Sequence, residues 1–306
     1  MRQYRSDKVP ANPAETITRA IIERLEAGVR PWRQPWAGGP VSRPLRVCGT
    51  PYRGANVIWL WMAAQARGFA SPTWMTYHQA QLLGGQVRKG ERGTLAIFYK
   101  SYTKEVENPG TGEREDEARR VLKSFTVFNV DQIDRLPERF LPVTMPLPEL
   151  NERDGALDAW FAAVPARLRH GGGEAYYMPS TDEITMPEIA AFRSRDHYRA
   201  TLAHEMAHWT GHASRLDRTL GNRFGSDAYA MEELVAELTA AMIGAELGLP
   251  VDHLDDHASY LASWLKVLKT DSRAILTAAA KAEEASAFLL ASQARGQAQE
   301  AERLAA

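Results

Sequence analysis

Residues 202–209 constrain this chain more than any other stretch. His204-Glu205-Met206-Ala207-His208 sets two imidazoles four residues apart, with a carboxylate directly after the first. On a helix, residues i and i+4 lie one turn apart on the same face. Both rings can then reach one Zn²⁺ at ~2.0–2.1 Å. Glu205 sits about 100° round the helix, where it can take a proton from water polarised by the ion. A pattern of this form arises by chance about 0.016 times in a chain of this composition. A fold carrying it needs a buried helix and a second element that brings a third ligand.

Cysteine cannot be that ligand. Cys48 is the only cysteine, far away in sequence, which also excludes an intramolecular disulfide. Two sources remain. His212 follows the motif, but on a continued helix it lies ~12 Å from His204. That makes it a residue behind the ligands or facing substrate rather than a ligand. The next predicted helix carries Glu232, Glu233 and Glu237. Glu233 and Glu237 share one face, flanked by Ala236, Ala240 and Ala241, and two carboxylates facing a neighbouring helix need a partner or a metal. They fit a ligand and an acid that holds a ligand histidine; Glu232 reads as part of a solvated face. The hairpin expected over 176–186 precedes the motif, as an edge strand that pairs with an extended peptide would. Tyr229, Arg215 and Arg218 are oxyanion candidates, or surface residues.

The net charge of −1 conceals an opposition. Residues 1–104 carry 16 Lys and Arg against 5 Asp and Glu; residues 105–306 carry 21 against 33. A chain at +11 and then −12 suggests separate partners for separate domains. No window reaches the length of a membrane span and no secretory h-region is visible, so a cytoplasmic protein without membrane contact is expected.

The basic part is also aromatic. Five of the eight tryptophans fall at 32, 36, 59, 61 and 74, among Arg30, Arg33, Arg43, Arg46 and Arg53. Exposed rings that stack on bases, with cations that follow phosphates, make a single-strand nucleic-acid surface. Trp59, Trp61 and Trp74 also suit a core. Trp32 and Trp36, in a proline-spaced loop with Arg33, are the stacking candidates. Arg53, the cluster Arg88, Lys89 and Arg92, and Lys100 are the phosphate candidates. No helix-turn-helix or zinc finger is present.

Caps and periodicity predict helices over 13–27, 56–67, 77–83, 154–168, 196–211, 229–247, 256–270 and 271–292. Strands are expected over 94–102 and 121–130, around a mobile loop 104–120. The tail after Gly296 is expected to fray. Proline-rich residues 131–150 are the linker candidate.

Five ordered blocks then resemble one family: residues 14–36, 51–61, 74–93, 202–218 and 229–241 are similar to ArdC-type antirestriction proteins of conjugative plasmids and mobile elements. The resemblance implies an α+β fold of two domains. A small α+β single-stranded-DNA-binding domain spans 1–140. A linker follows at 141–150, then a mainly helical zincin-like metallopeptidase domain at 151–306. It implies His204, His208 and Glu233 as metal ligands and Glu205 as catalytic acid and base, with Zn²⁺ in the site or Mn²⁺ or Co²⁺ in its place. Glu237 and His212 stand behind the ligands. The implied role is protection of incoming DNA from host restriction, with single-stranded DNA and an unidentified protein substrate as partners. The alternative is a non-enzymatic DNA shield, or a plasmid-processing accessory protein, with a structural metal.

Overall fold

The computed structural model describes residues 12–32, 42–107, 114–140, 150–218, 226–249 and 258–305. Helix α1 (Pro13–Glu26) starts as its sequence dictates: Asn12 caps the Ala14 amide and Pro13 occupies the first turn. There follow β1 (Leu45–Arg46), α2 (Ala55–Arg67), β2 (Thr73–Met75), α3 (Tyr77–Leu82), β3 (Gln86–Val87), β4 (Thr94–Glu107), β5 (Arg114–Asn129) and β6 (Ile133–Asp134). The second half holds α4 (Leu150–Ala162), β7 (Arg167–His170), β8 (Tyr176–Met178), β9 (Glu183–Met186), α5 (Arg195–Thr210), α6 (Asp227–Leu247), α7 (Ala258–Thr270) and α8 (Ala274–Ala305).

One sheet runs β1-β2-β5-β4, a second pairs β3 with β6, and a third runs β7-β9-β8. The β4–β5 hairpin stays in register from Thr94 opposite Val127 to Glu107 opposite Arg114. Most of the expected loop 104–120 is therefore strand. The stretch holds few apolar residues, so it lacks the alternation that marks a half-buried strand.

Two further expectations change. The helix predicted over 154–168 ends at Ala162, and residues 167–170 join β9 as a parallel strand. Pro165 cannot donate a helical hydrogen bond, and it separates the two elements rather than bending one. The chain after Gly296 continues as helix to Ala305. A Cβ at Gly296 would lie 2.0 Å from the Ala163 carbonyl oxygen, so that glycine lets α8 cross the end of α4 closely.

The main core joins both ends of the chain. Ile17, Ile21 and Leu25 of α1 and Val57, Ile58 and Trp61 of α2 pack with Leu234, Leu238 and Met242 of α6, Trp264 of α7 and Ile275 of α8. A second core beneath α5 joins Trp160, Phe161, Ile184 and Met186 to Leu202, Met206 and Trp209. Arg199, 2% exposed, holds α5 to α4 through Asp154 and Asp158. Several cations of the basic N-terminal part face inward onto acidic C-terminal helices: Arg30 meets Glu237, and Arg43 meets Glu246 and Glu283. The opposed charges of the two parts thus meet within one folded body.

Candidate metal centre

Helix α5 is capped by Ser194, whose side chain accepts from the His197 amide, and it is buried on most sides. Helix α6 is capped by Ser226 and packs against it. Their contact brings three donors together. The Nε2 atoms of His204 and His208 lie 3.1 Å apart. Each is 3.5 Å from a different oxygen of Glu233, His204 from Oε2 and His208 from Oε1. Two ligands of one tetrahedral Zn²⁺ at 2.0–2.1 Å would be roughly 3.3 Å apart. Three donors converging within 4.8 Å in the interior fit a divalent cation, and this is the candidate cluster among the described residues.

Electrostatics favour a cation there. Burial alone would raise Glu233, but the His204 hydrogen bond, the imidazole charges and the Tyr229 hydroxyl hold its carboxyl down at about 2. His204 shows the converse. Burial disfavours its charge, yet Glu233, Glu205 and Glu237 push it up to about 9. Glu205, 7% exposed, is raised chiefly by burial, against the pull of both imidazoles. The nearby Tyr177 backbone N–H pulls it slightly the other way, so β8 lies beside the site.

Glu232 corrects the sequence reading of a solvated face. It is 6% exposed, and its Oε1 lies 3.2 Å from His208 Nδ1. Arg218 donates to both its oxygens, at 3.0 and 2.9 Å, and also to Thr210 Oγ1 and the Ala207 carbonyl. The acid that holds a motif histidine is therefore one residue before Glu233, not four after it. Helical spacing misses this because the loop after α5 returns to insert Arg218 between the helices. Glu237 is buried and raised by desolvation, and it accepts from Trp32 Nε1 at 3.2 Å with Arg30 3.6 Å away. It ties the N-terminal loop to α6. His212 bonds to Ser214 and lies outside the ligand cluster.

The oxyanion candidates are otherwise engaged. Arg218 is held by Glu232, and Arg215 pairs with Asp182 and lies 4.1 Å over the Trp209 ring. The Tyr229 hydroxyl meets Tyr260 at 2.9 Å as well as Glu233.

The DNA candidates scatter. Trp32 is 1% exposed and packs edge-on against Trp264, so it is no stacking platform: its ring is core and its N–H is bound to Glu237. Arg33 and Trp36 lie outside the described residues. Arg88 is engaged by Glu91, Asp134 and the Asp131 carbonyl. Arg53, Lys89, Arg92 and Lys100 are exposed. No helix among the described residues is long and apolar enough to cross a membrane.

Comparison with known proteins agrees with this geometry. Residues 11–128 match the N-terminal domain of the anti-restriction factor ArdC, and residues 155–281 match a zincin-like metallopeptidase domain. Protein y4eC of Sinorhizobium fredii is 44% identical over 97% of each chain. The DNA primase TraC of Escherichia coli is 41% identical over 90% of this chain, which spans only 27% of that longer protein. The crystal structure of the antirestriction protein ArdC from the R388 plasmid, in its metal-free form, is 43% identical. It superposes with a TM-score of 0.78, over 93% of this chain and 98% of that one. Its Mn(II)-bound form is 42% identical, with a TM-score of 0.75 over 92% and 98% of the two chains. The chain belongs to the ArdC antirestriction family, with an α+β fold whose C-terminal part is a zincin-like metallopeptidase domain.

Proposed function

We propose that this chain binds single-stranded DNA through residues 1–140 and hydrolyses a protein through residues 151–306, protecting incoming mobile-element DNA from restriction. The observation that carries the peptidase reading is the convergence of His204, His208 and Glu233 beside the buried Glu205. A purely structural site has no use for Glu205. Zn²⁺ is the proposed ion, with Mn²⁺ or Co²⁺ suited to the same donors; the Mn(II)-bound relative supports that breadth.

When bound, the ion supplies Lewis acidity and lowers the pKa of water. The chain supplies the rest. Glu232 fixes the ring of His208 from behind. Glu205 accepts the proton from attacking water at its carboxylate and returns it to the departing amine. Strand β8 lies at the edge of its sheet, and its Tyr177 N–H lies near Glu205. A peptide laid along that edge passes the carboxylate.

Glu205→Gln in the full chain tests this reading. It should keep about one metal per chain and lose proteolysis by about 10²-fold or more. Protection that persists in this variant would assign antirestriction to DNA shielding instead.

A further inference from the structure

Beyond Ala96 and Ile97, which are buried in the body, the β4–β5 ribbon extends into solvent. Alternate residues of a strand face the same way. Ala96, Phe98, Lys100 and Tyr102 therefore share one face, with Phe125, Lys123, Val121 and Arg119 opposite them in register. Phe98 packs edge-on against Phe125 at 5.8 Å, continuing the core outward. From there the face turns to solvent: Phe98 is 44% exposed and Tyr102 45%, and Lys100 and Lys123 are exposed. Lys100 sits between the two rings, which are about 13 Å apart along the strand. Lys123 stands opposite Phe98 and Arg119 opposite Tyr102.

Single exposed rings are ordinary, but rings alternating with cations on one face of a ribbon specify a ligand. The cations disfavour a purely apolar partner. A polyanion whose bases present bare π faces satisfies rings and cations together. Duplex DNA keeps its bases stacked, and a ribbon entering the major groove reads base edges with groups such as Arg, Asn or Gln. This face carries Phe, Lys, Tyr, Val and Arg119, with no Asn or Gln, and its two exposed rings have no base edge to read.

We propose that this face of the ribbon is a stacking surface for single-stranded DNA, with Phe98 and Tyr102 against bases and Lys100, Lys123 and Arg119 along the phosphates. The proposal rests on the reading that the chain binds single strands, and it names where. It replaces Trp32 as the aromatic contact with rings that reach solvent.

The test measures fluorescence anisotropy of a labelled oligothymidylate with the full-length protein. Phe98→Ser with Tyr102→Ser should weaken binding at least about 10-fold, since each stacked ring contributes about 5- to 100-fold. Phe98→Tyr with Tyr102→Phe should restore it. Lys100→Gln with Lys123→Gln should flatten the salt dependence, by about 0.7 in slope for each phosphate no longer neutralised. Tyr99→Ser, on the opposite face, should bind as the parent does. Metal content should not move in any of these, and thermal unfolding should fall by no more than a few degrees, in the Phe98→Ser protein that loses the Phe125 contact. Parent protein that fails to bind would overturn the single-strand reading itself. Parent binding that survives the double serine change would overturn the ribbon face alone. Equal loss in Tyr99→Ser, or duplex DNA competing as well as single strand, would overturn base stacking on this face.

Discussion

The metal cradle and the β4–β5 ribbon handle charge in opposite ways. In the cradle, Glu232, Glu233 and Glu237 are each 6–7% exposed, and each has named partners: Arg218 with His208, the two motif histidines, and Trp32 with Arg30. On the ribbon, Lys100 and Lys123 are exposed beside rings that also face water. The proposed peptide cleavage needs groups held at fixed positions in a desolvated interior. Following a flexible polyanion needs cations that can move with it. The same elements, charge and aromatic rings, are locked in one place and presented in the other, so substitutions should affect the two regions in different ways.

The largest effect is expected at Arg218. Arg218→Ala removes a guanidinium that grips both oxygens of a buried carboxylate and caps the Ala207 carbonyl and Thr210. It leaves the buried Glu232 with the His208 ring as its remaining partner, a loss of about 3 kcal/mol. Thermal unfolding should fall by about 10 °C. Lys123→Ala on the ribbon should change stability by less than about 0.5 kcal/mol. Equal shifts in both would erase the contrast.

Next comes Glu232→Gln, which keeps shape and removes the charge behind His208. Metal affinity should drop about 10- to 100-fold, as read by chelator competition, and stability should fall by less than in Arg218→Ala, because the glutamine carbonyl still accepts from the buried Arg218. The same change should leave DNA affinity untouched. An unchanged metal affinity would mean that Glu232 braces the helices and not the ligand.

The cradle was partly legible in sequence because helical spacing is rigid: four residues fix His204 against His208, as the cap at Asn12 fixes the start of α1. Glu232 was misread because its partner, Arg218, reaches it through a loop, and loop paths carry no period. Trp32 looked like a stacking ring because composition counts a tryptophan without saying which way it faces. The ribbon was shortened for a related reason: residues 104–107 and 114–120 are almost all polar, so they show no apolar alternation for a strand to be read from.

Trp32 gives a smaller and sharper test. Trp32→Phe keeps the ring against Trp264 but removes the N–H that Glu237 accepts, leaving Arg30 near a buried acid. A loss of about 1.5 kcal/mol is expected, with DNA binding unchanged. Weakened DNA binding at unchanged stability would return Trp32 to the binding surface and reverse the assignment of its ring to the core.

The smallest effect should come from Asp182, which lies between the two extremes. It sits in the turn joining β8 to β9, accepts from Tyr177 Oη at 2.9 Å and pairs with Arg215, which stacks on Trp209 just after the motif. The hydrogen bonds from Arg215, and next from Tyr177, hold its carboxyl below the usual range despite partial burial. A depressed carboxylate adds stability that is complete above its unfolded pKa of about 3.9 and is lost as pH falls through the lower folded value. Asp182 is about a third exposed, so screening limits the contribution to about 0.5–1 kcal/mol. The Arg215→Gln protein should be less stable than the parent by that amount at pH 6, with the gap closing as acid protonates Asp182. A gap that persists at pH 2 would trace the loss to the Trp209 packing instead. Edge strand β8 would then owe its position to packing, like the cradle, rather than to an accessible charge, like the ribbon.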